Sequence, residues 1–295
     1  MTTETNKTQD GKSVRPGEYA PGSVIADRYE VERMIGRGGM GVVYLVYDDK
    51  EDARVALKTI VPKYAGNKKA LIRFMREARA FRELDHRAIV KFYDAGRLEN
   101  NLYFTMEYVR GRTVRSMLRE RGRFGLGSTV RILYLLCDGL QAAHAVSVHR
   151  DVSPANIMVT EGSNIKLLDF GLAKLINTDP NSKNVAYRNI TMRGVHLGKR
   201  FYAAPEQQKD ASTVDARADL YSVGVIFHEM LTGDLPIGIP SLTKKRPDLP
   251  EECDVFLRKT LAVSRDDRYD TAADAADALV DLYKQYRRGN GQTEE

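Results

Sequence analysis

His149-Arg150-Asp151-Val152-Ser153-Pro154-Ala155-Asn156, followed thirteen residues after Asn156 by Asp169-Phe170-Gly171, is the stretch on which the reading of this chain turns. A carboxylate at 151 can orient and deprotonate an incoming hydroxyl, while Asn156 and Asp169 supply the oxygen donors that a small hard cation such as Mg2+ demands. Pro154 and Gly171 give tight backbone turns at the two ends of the set. A four-residue match to HRDxxxxN is rare on composition alone, and here it follows, in order, a glycine-rich turn and a lysine-bearing strand. The plainer reading, that His149 and Phe170 are packed core residues, is compatible with the chemical one.

Towards the N-terminus, Val55-Ala56-Leu57-Lys58 is an apolar strand ending in an ammonium, which is costly to bury without a partner. Glu77 is one partner. It lies on or beside the face of a helix marked by Leu71, Phe74, Met75, Ala78 and Phe81; a surface pair of Glu77 with Arg73 is the alternative. Further upstream, Gly36-Arg37-Gly38-Gly39-Met40-Gly41-Val42-Val43 matches GxGxxGxV, by itself a weak signal. A dinucleotide-binding fold needs a helix to start in the glycines. Here the β-patterned run Val42 to Tyr47 follows instead, and strand, glycine turn, strand makes a flap whose backbone N–H groups can close over phosphates.

The surrounding pattern predicts an antiparallel strand meander from Tyr29 to Val61, the helix carrying Glu77, and strands at Ile89 to Tyr93 and Leu102 to Val109. After Gly111 the spacing turns helical over Val130 to Ala145, Ala216 to Leu231, Cys253 to Val263 and Thr271 to Tyr286, with a hairpin-like pair at Asn156 to Thr160 and Ile165 to Phe170. A small β-rich half followed by a larger helical half is an α+β arrangement, with a ligand cleft expected between the halves. Residues 1–26 read as a disordered leader and 289–295 as a flexible tail.

Among 295 residues, 46 Lys+Arg against 40 Asp+Glu leave a net charge of +6, which reads as an ordinary solvated surface and not as a nucleic-acid face. The two cysteines, Cys137 and Cys253, lie in apolar segments with no CxxC nearby, which argues against a disulfide framework or a zinc site. The most apolar stretches are interrupted by Asp138, His144, His228 and Glu229 before they reach the roughly 20 residues of a membrane span. No secretory signal pattern is visible, so a cytoplasmic setting is expected, with a membrane anchor beyond Glu295 left open for a longer parent chain.

The motifs, spread from about Asp27 to Arg288, resemble those of the protein kinase superfamily, in particular the bacterial eukaryotic-like (Hanks-type) Ser/Thr kinases with their GxGGMGxVY loops. The resemblance implies a bilobal kinase-like fold, with an N-lobe at about 27–109 and a C-lobe at about 110–288. It also implies transfer of the γ-phosphoryl of ATP, with Mg2+ or Mn2+ as the cation, to serine or threonine hydroxyls of protein substrates. Carried over residue by residue, it makes Asp151 the catalytic base, pairs Lys58 on the α/β-phosphates with Glu77, and gives the metal to Asn156 and Asp169. Gly36, Arg37, Gly38, Gly39, Met40, Gly41 and Val42 would cover the phosphates. Met106 would be the gatekeeper, the backbone of Glu107 and Val109 would hydrogen-bond adenine, and Ile35, Val43, Ala56 and Met158 would sandwich the ring. Ala204-Pro205-Glu206 matches the family's APE motif, Arg268 the arginine that pairs with its glutamate, and Asp219 the helix residue bracing the catalytic loop.

Two positions depart from the pattern. Ser153 stands where most Ser/Thr kinases carry lysine, and Lys199 stands where they carry threonine. Exchange of the two roles, with Lys199 supplying the cation, and independent drift with weakened catalysis both remain open; an ATP-binding pseudokinase or scaffold is the alternative prompted by this pair alone. The proline-rich stretch from Gly233 to Cys253 predicts that the helix often used for substrate docking is reduced or missing. In the family, an arginine at position 150 marks enzymes whose activation segment is ordered by its own phosphorylation. Thr191 is the preferred site here, with Thr178 and Ser182 behind it.

Overall fold

The computed structural model describes residues 18–38, 41–60, 68–98, 101–169, 201–209 and 214–289. They divide into one unit of residues 18–83 and 91–108 and another of 84–90, 109–169, 201–209 and 214–289.

In the first unit, alternation along three long strands sends Tyr29 and Val31 of β2 (Tyr29–Gly38), Tyr44 and Val46 of β3 (Gly41–Asp48) and Val55 and Leu57 of β4 (Ala53–Ile60) into one core with Tyr103. The sheet is antiparallel and six-stranded, completed by β1 (Val24–Ile25) on one edge and by β6 (Asn101–Glu107) and β5 (Phe92–Leu98) beyond β4. Helix α1 (Lys68–Arg82) packs beside β5 and buries Ala78 and Phe81. Residues 18–26 correct the expected leader. Gly22 donates to the Val31 carbonyl at 2.7 Å, Val31 donates back to Ser23 at 2.9 Å, and β1 pairs with β2. The apolar side chain behind this is Ile25, which is 1% exposed within the sheet's core.

In the second unit, β7 (Gly111–Thr113), β8 (Ile157–Thr160) and β9 (Ile165–Leu167) form a three-stranded antiparallel sheet. The helices are α2 (Val114–Arg121), α3 (Leu126–His144), α4 (Pro205–Lys209), α5 (Arg217–Thr232), α6 (Leu242–Lys245), α7 (Glu252–Thr260) and α8 (Ala272–Gly289). Helix α5 is buried nearly all round, and α3, α7 and α8 pack on it. A Cβ on Gly224 would lie 2.3 Å from the Thr260 hydroxyl of α7, so the close approach of the two helices requires glycine there. The four helical spans read from periodicity correspond to α3, α5, α7 and α8 within a few residues. Helix α2 was not among them. Only Val114 and Leu118 of its eight residues are buried, and the polar residues around them, Arg115, Arg119 and Arg121 among them, hide the period, although Thr113 caps it by accepting from the Ser116 N–H at 3.1 Å.

The segment Leu84–Val90, read as part of the first lobe, belongs to the second unit. Val90 donates to the Leu167 carbonyl at 3.1 Å and Leu167 to the Ala88 carbonyl at 2.8 Å, so Ile89 is held against β9 as a parallel bridge and the expected strand from Ile89 begins only at Phe92. Between Gly233 and Cys253 the helix α6 is a single turn of four residues, as the prolines predict. Among the described residues no helix is long and apolar enough to cross a membrane.

Candidate active site

The nucleotide-side residues of the first unit line up by register. Gly36 pairs with Val43, Arg37 with Val42 and Gly38 with Gly41, so the glycine motif is a β-hairpin as its flanking strands predict; Gly39 and Met40 lie outside the described residues. Gly41 sits at φ +152, and a Cβ there would meet the Thr59 carbonyl oxygen at 1.8 Å, which makes glycine obligatory where the hairpin closes on β4. Lys58 lies opposite Val43 on one side and Phe104 on the other, with its Nζ 5.9 Å from the Phe104 ring centroid. Ala56 pairs with Met106, and both are buried. Ile35 sits at the β-bulge before Gly36, half-buried like Val42 and Val43. Glu107 ends β6, and its amide donates to the Lys91 carbonyl at 2.8 Å. Glu77 is on α1, with its side chain outside the described residues.

In the second unit the catalytic loop is fixed residue by residue. The Asn156 Nδ2 donates to the Asp151 backbone carbonyl at 2.8 Å and to its Oδ2 at 3.2 Å. The imidazole of His149 accepts from the Asp151 N–H at Nδ1 (3.2 Å) and donates from Nε2 to the Leu168 carbonyl (3.0 Å), contacts met together by the neutral tautomer protonated at Nε2. Leu168 donates in turn to the Asn156 carbonyl at 2.7 Å, which ties the residue before Asp169 to the loop. Beneath them Asp219 on α5, fully buried, accepts the amides of His149 (2.9 Å) and Arg150 (2.8 Å) and the His144 Nε2 (2.9 Å). Arg150 and Asp169 both hold left-handed backbone, at φ 62 and 55. Met158 is on β8 and Val109 precedes β7, each half-buried.

The donor set suits a hard divalent cation: with its Nδ2 engaged by Asp151, Asn156 keeps its amide oxygen as the ligand, and Asp169 adds a carboxylate. Held there, such an ion would offset the charge of nucleotide phosphates.

A platform next to the loop rests on Arg268, whose five N–H donors are all used. Two go to Glu206 (2.6 and 2.8 Å) and the others to the carbonyls of Ala262, Arg217 and Val263 (2.9, 3.0 and 3.3 Å). Burial alone would push Glu206 up, but the Arg268 fork wins and holds its carboxyl below the ordinary range. Four residues before Glu206, the buried Tyr202 meets Glu229 of α5 and Arg115 of α2, while Arg115 reaches Glu229 at 2.6 Å and its amide donates to the Pro154 carbonyl at 2.8 Å. Gln207 accepts from the Ala204 amide at 2.9 Å and donates to the Arg150 carbonyl at 3.3 Å. The sequence reading missed Arg115, Tyr202, Glu229, Gln207 and His144. A glutamate deep in the apolar run of α5 was the one available signal. Thr178, Ser182, Thr191 and Lys199 lie outside the described residues.

The protein kinase domain family matches residues 29–285. Serine/threonine-protein kinase PknL of Mycobacterium tuberculosis is 40% identical over 215 residues, 72% of this chain and 51% of the relative. Serine/threonine-protein kinase PknB of Mycolicibacterium smegmatis is 33% identical over 282 residues, 88% of this chain and 44% of the relative. The chain thus spans about half the length of the curated relatives it matches. Among solved structures, the PknI kinase domain of Mycobacterium tuberculosis matches with a TM-score of 0.72 at 30% identity, covering 90% of this chain and all of that domain. With the hairpin, the lysine strand and the braced His149–Asn156 loop in place, the chain belongs to the protein kinase domain family, in its bacterial Hanks-type serine/threonine branch.

Proposed function

We propose that this chain transfers the γ-phosphoryl of Mg·ATP to serine and threonine hydroxyls of proteins. The observation that carries the reading is the fixed geometry of Asp151, whose carboxylate and carbonyl are both held by Asn156 while Asp219 pins the amides that precede it. In that setting Asp151 orients the acceptor hydroxyl and takes its proton as the oxygen attacks phosphorus. Lys58 offsets phosphate charge, with Glu77 as its partner, and the hairpin from Gly36 to Gly41 covers the phosphates with backbone N–H groups. Asn156 and Asp169 hold the cation, Mg2+ in preference to Mn2+. Ile35, Val43, Ala56, Met106 and Met158 supply apolar surface for adenine, with hydrogen bonds from the backbone of Glu107 and Val109.

Ser153 is 3% exposed, and its hydroxyl has no hydrogen-bond partner among the described residues. That supports an exchange in which Lys199 supplies the cation the family places at 153. Lys199→Ala then lowers turnover about 100-fold, and adding Ser153→Lys recovers it; a loss under about threefold with no rescue rejects the exchange. Phosphorylation of Thr191, with Thr178 and Ser182 as secondary sites, is read as the activating modification. Mass spectrometry of an active preparation, with Thr191→Ala beside it, tests that assignment. For the activity itself, labelled ATP is incubated with casein or myelin basic protein. Incorporation by wild type and none by Asp151→Asn is the expected result; a folded wild type that transfers no label overturns the proposal.

A further inference from the structure

Beyond its backbone pairing, the glycine hairpin offers few side chains by which the fold could hold it. Among its described residues, Gly36, Arg37, Gly38 and Gly41, Arg37 carries the only side chain, and that side chain is engaged from outside the hairpin. Arg37 meets Glu18 in an end-on fork, Nη1 to Oε1 at 2.6 Å and Nη2 to Oε2 at 2.7 Å. The Glu18 side chain is 15% exposed and that of Arg37 38%.

Glu18 stands on a fastened backbone. The Tyr19 amide donates to the Tyr44 hydroxyl at 3.1 Å, and the two rings pack edge-on at 6.0 Å. Tyr44 is buried in β3, the strand that leaves the hairpin. Three residues further on, Gly22 and Ser23 bond to Val31 of β2, the strand that enters it, and β1 extends that pairing. The segment 18–25 is therefore attached to both strands of the hairpin, and Glu18 reaches from there to Arg37.

We infer that Glu18 is a positioning residue for nucleotide binding, acting through Arg37 to restrain the glycine hairpin in the shape that receives the phosphates. This rests on the reading that the hairpin covers ATP. Glycines lose more conformational freedom on ordering than any other residue, so a hairpin ordered beforehand lowers the entropic cost of binding. A carboxylate–guanidinium fork is the strong, directional form of ion pair suited to that task. Releasing Arg37 would also free a cation near the phosphates, which acts in the opposite sense. That charge is solvent-exposed and weakened by salt, and Arg37→Gln removes it altogether, so a loss of the same size in both single variants reports the restraint and not the freed cation. Measured worths of exposed pairs correspond to about 1.4- to 5-fold in an equilibrium constant, and the fork geometry with a mostly covered Glu18 places this one at about 3- to 5-fold.

The test uses the full chain with Glu18→Gln, Arg37→Gln and the double variant, measuring affinity for a non-hydrolysable ATP analogue with Mg2+, steady-state kinetics and melting temperature. Each single variant should weaken analogue binding about 3- to 5-fold, and the double variant no further, because both remove one contact. Glu18→Gln should raise KM for ATP by the same factor and leave kcat within about 1.5-fold. Unchanged analogue affinity in Glu18→Gln, additive losses in the double variant, or a lowered melting temperature with wild-type affinity would each overturn the inference. A folded wild type that binds no analogue would overturn the functional reading and this inference with it, whereas wild-type binding matched by the variants sinks the inference alone.

Discussion

Replacing Arg268 by methionine removes a guanidinium whose side chain is 0% exposed and whose donors serve Glu206 and three backbone carbonyls. Breaking a buried pair from one side costs about 3–5 kcal/mol, because the remaining charge loses its partner. Glu206 is 17% exposed, so water can reach part of the stranded carboxylate. That argues for the lower end of the range, about 3 kcal/mol, or a fall in melting temperature of roughly 6–12 °C for a domain of this size. The pH dependence gives an independent check. In wild type the Glu206 carboxyl is held below its ordinary range, so its stabilisation is complete above the unfolded value, about 4.3, and is lost as pH falls through the folded one. Without Arg268, burial is the largest influence left on Glu206 and, with the nearby Asp215 carboxylate, favours the protonated form against a backbone N–H, so acidification relieves the variant as it weakens the wild type. The gap in stability should narrow steadily below about pH 5. Thermal and urea unfolding followed by circular dichroism at pH 7 and pH 4 measure both effects, and Arg268→Met/Glu206→Gln should recover part of the loss by removing the stranded charge. A shift under about 2 °C at pH 7, or a double variant no more stable than the single, would refute this reasoning.

Asp151→Asn should lower turnover by about 10²- to 10⁴-fold, the range for removing a general base, with an unchanged melting temperature; near-normal phosphorylation by the folded variant would reject its role. Lys58→Met should cost on the order of 10²- to 10³-fold in kcat, checked by single-turnover phosphorylation. Asp169→Asn should abolish Mg2+-dependent activity, and substantial residual turnover in the folded variant would reject the metal role. Gly41→Ala should weaken nucleotide binding, since its Cβ has no room beside the Thr59 carbonyl, and titration with an ATP analogue reads the loss directly.

The long elements were legible because their burial follows a simple period. Helix α5 buries almost its whole surface and the strands β2 to β4 alternate, so residue type alone marks them. The chemical residues were legible because catalysis demands particular groups at fixed spacing on one loop. What stayed hidden depends on contacts far apart in the chain. The Arg115–Glu229 pair joins residues 114 apart, and Leu84–Val90 belongs with β9 through backbone bonds that carry no side-chain signature. The segment from Glu18 was hidden for the opposite reason. Its attachments run through one carboxylate, one tyrosine and a few backbone groups, too few apolar residues to show a period.

Two non-glycine residues of the site hold left-handed backbone, Arg150 in the catalytic loop and Asp169 after β9, a conformation that costs about 1–3 kcal/mol at each and persists only where the surroundings over-determine it. The second unit supplies that over-determination from below and from the side. Asp219 is a fully buried carboxylate, which alone would be costly by several kcal/mol. It accepts two consecutive amides and an imidazole, and those bonds both offset its burial and fix the two peptides that flank His149. His149 then carries the constraint forward, from the Asp151 amide to the carbonyl of Leu168, the residue preceding Asp169. An apolar residue at 219 would spare α5 a buried charge and leave two loop amides without acceptors, so the strain at Arg150 would relax and Asp151 would move with it. The buried charge on α5 therefore serves the placement of Asp151, and its cost to the helix is offset at the loop.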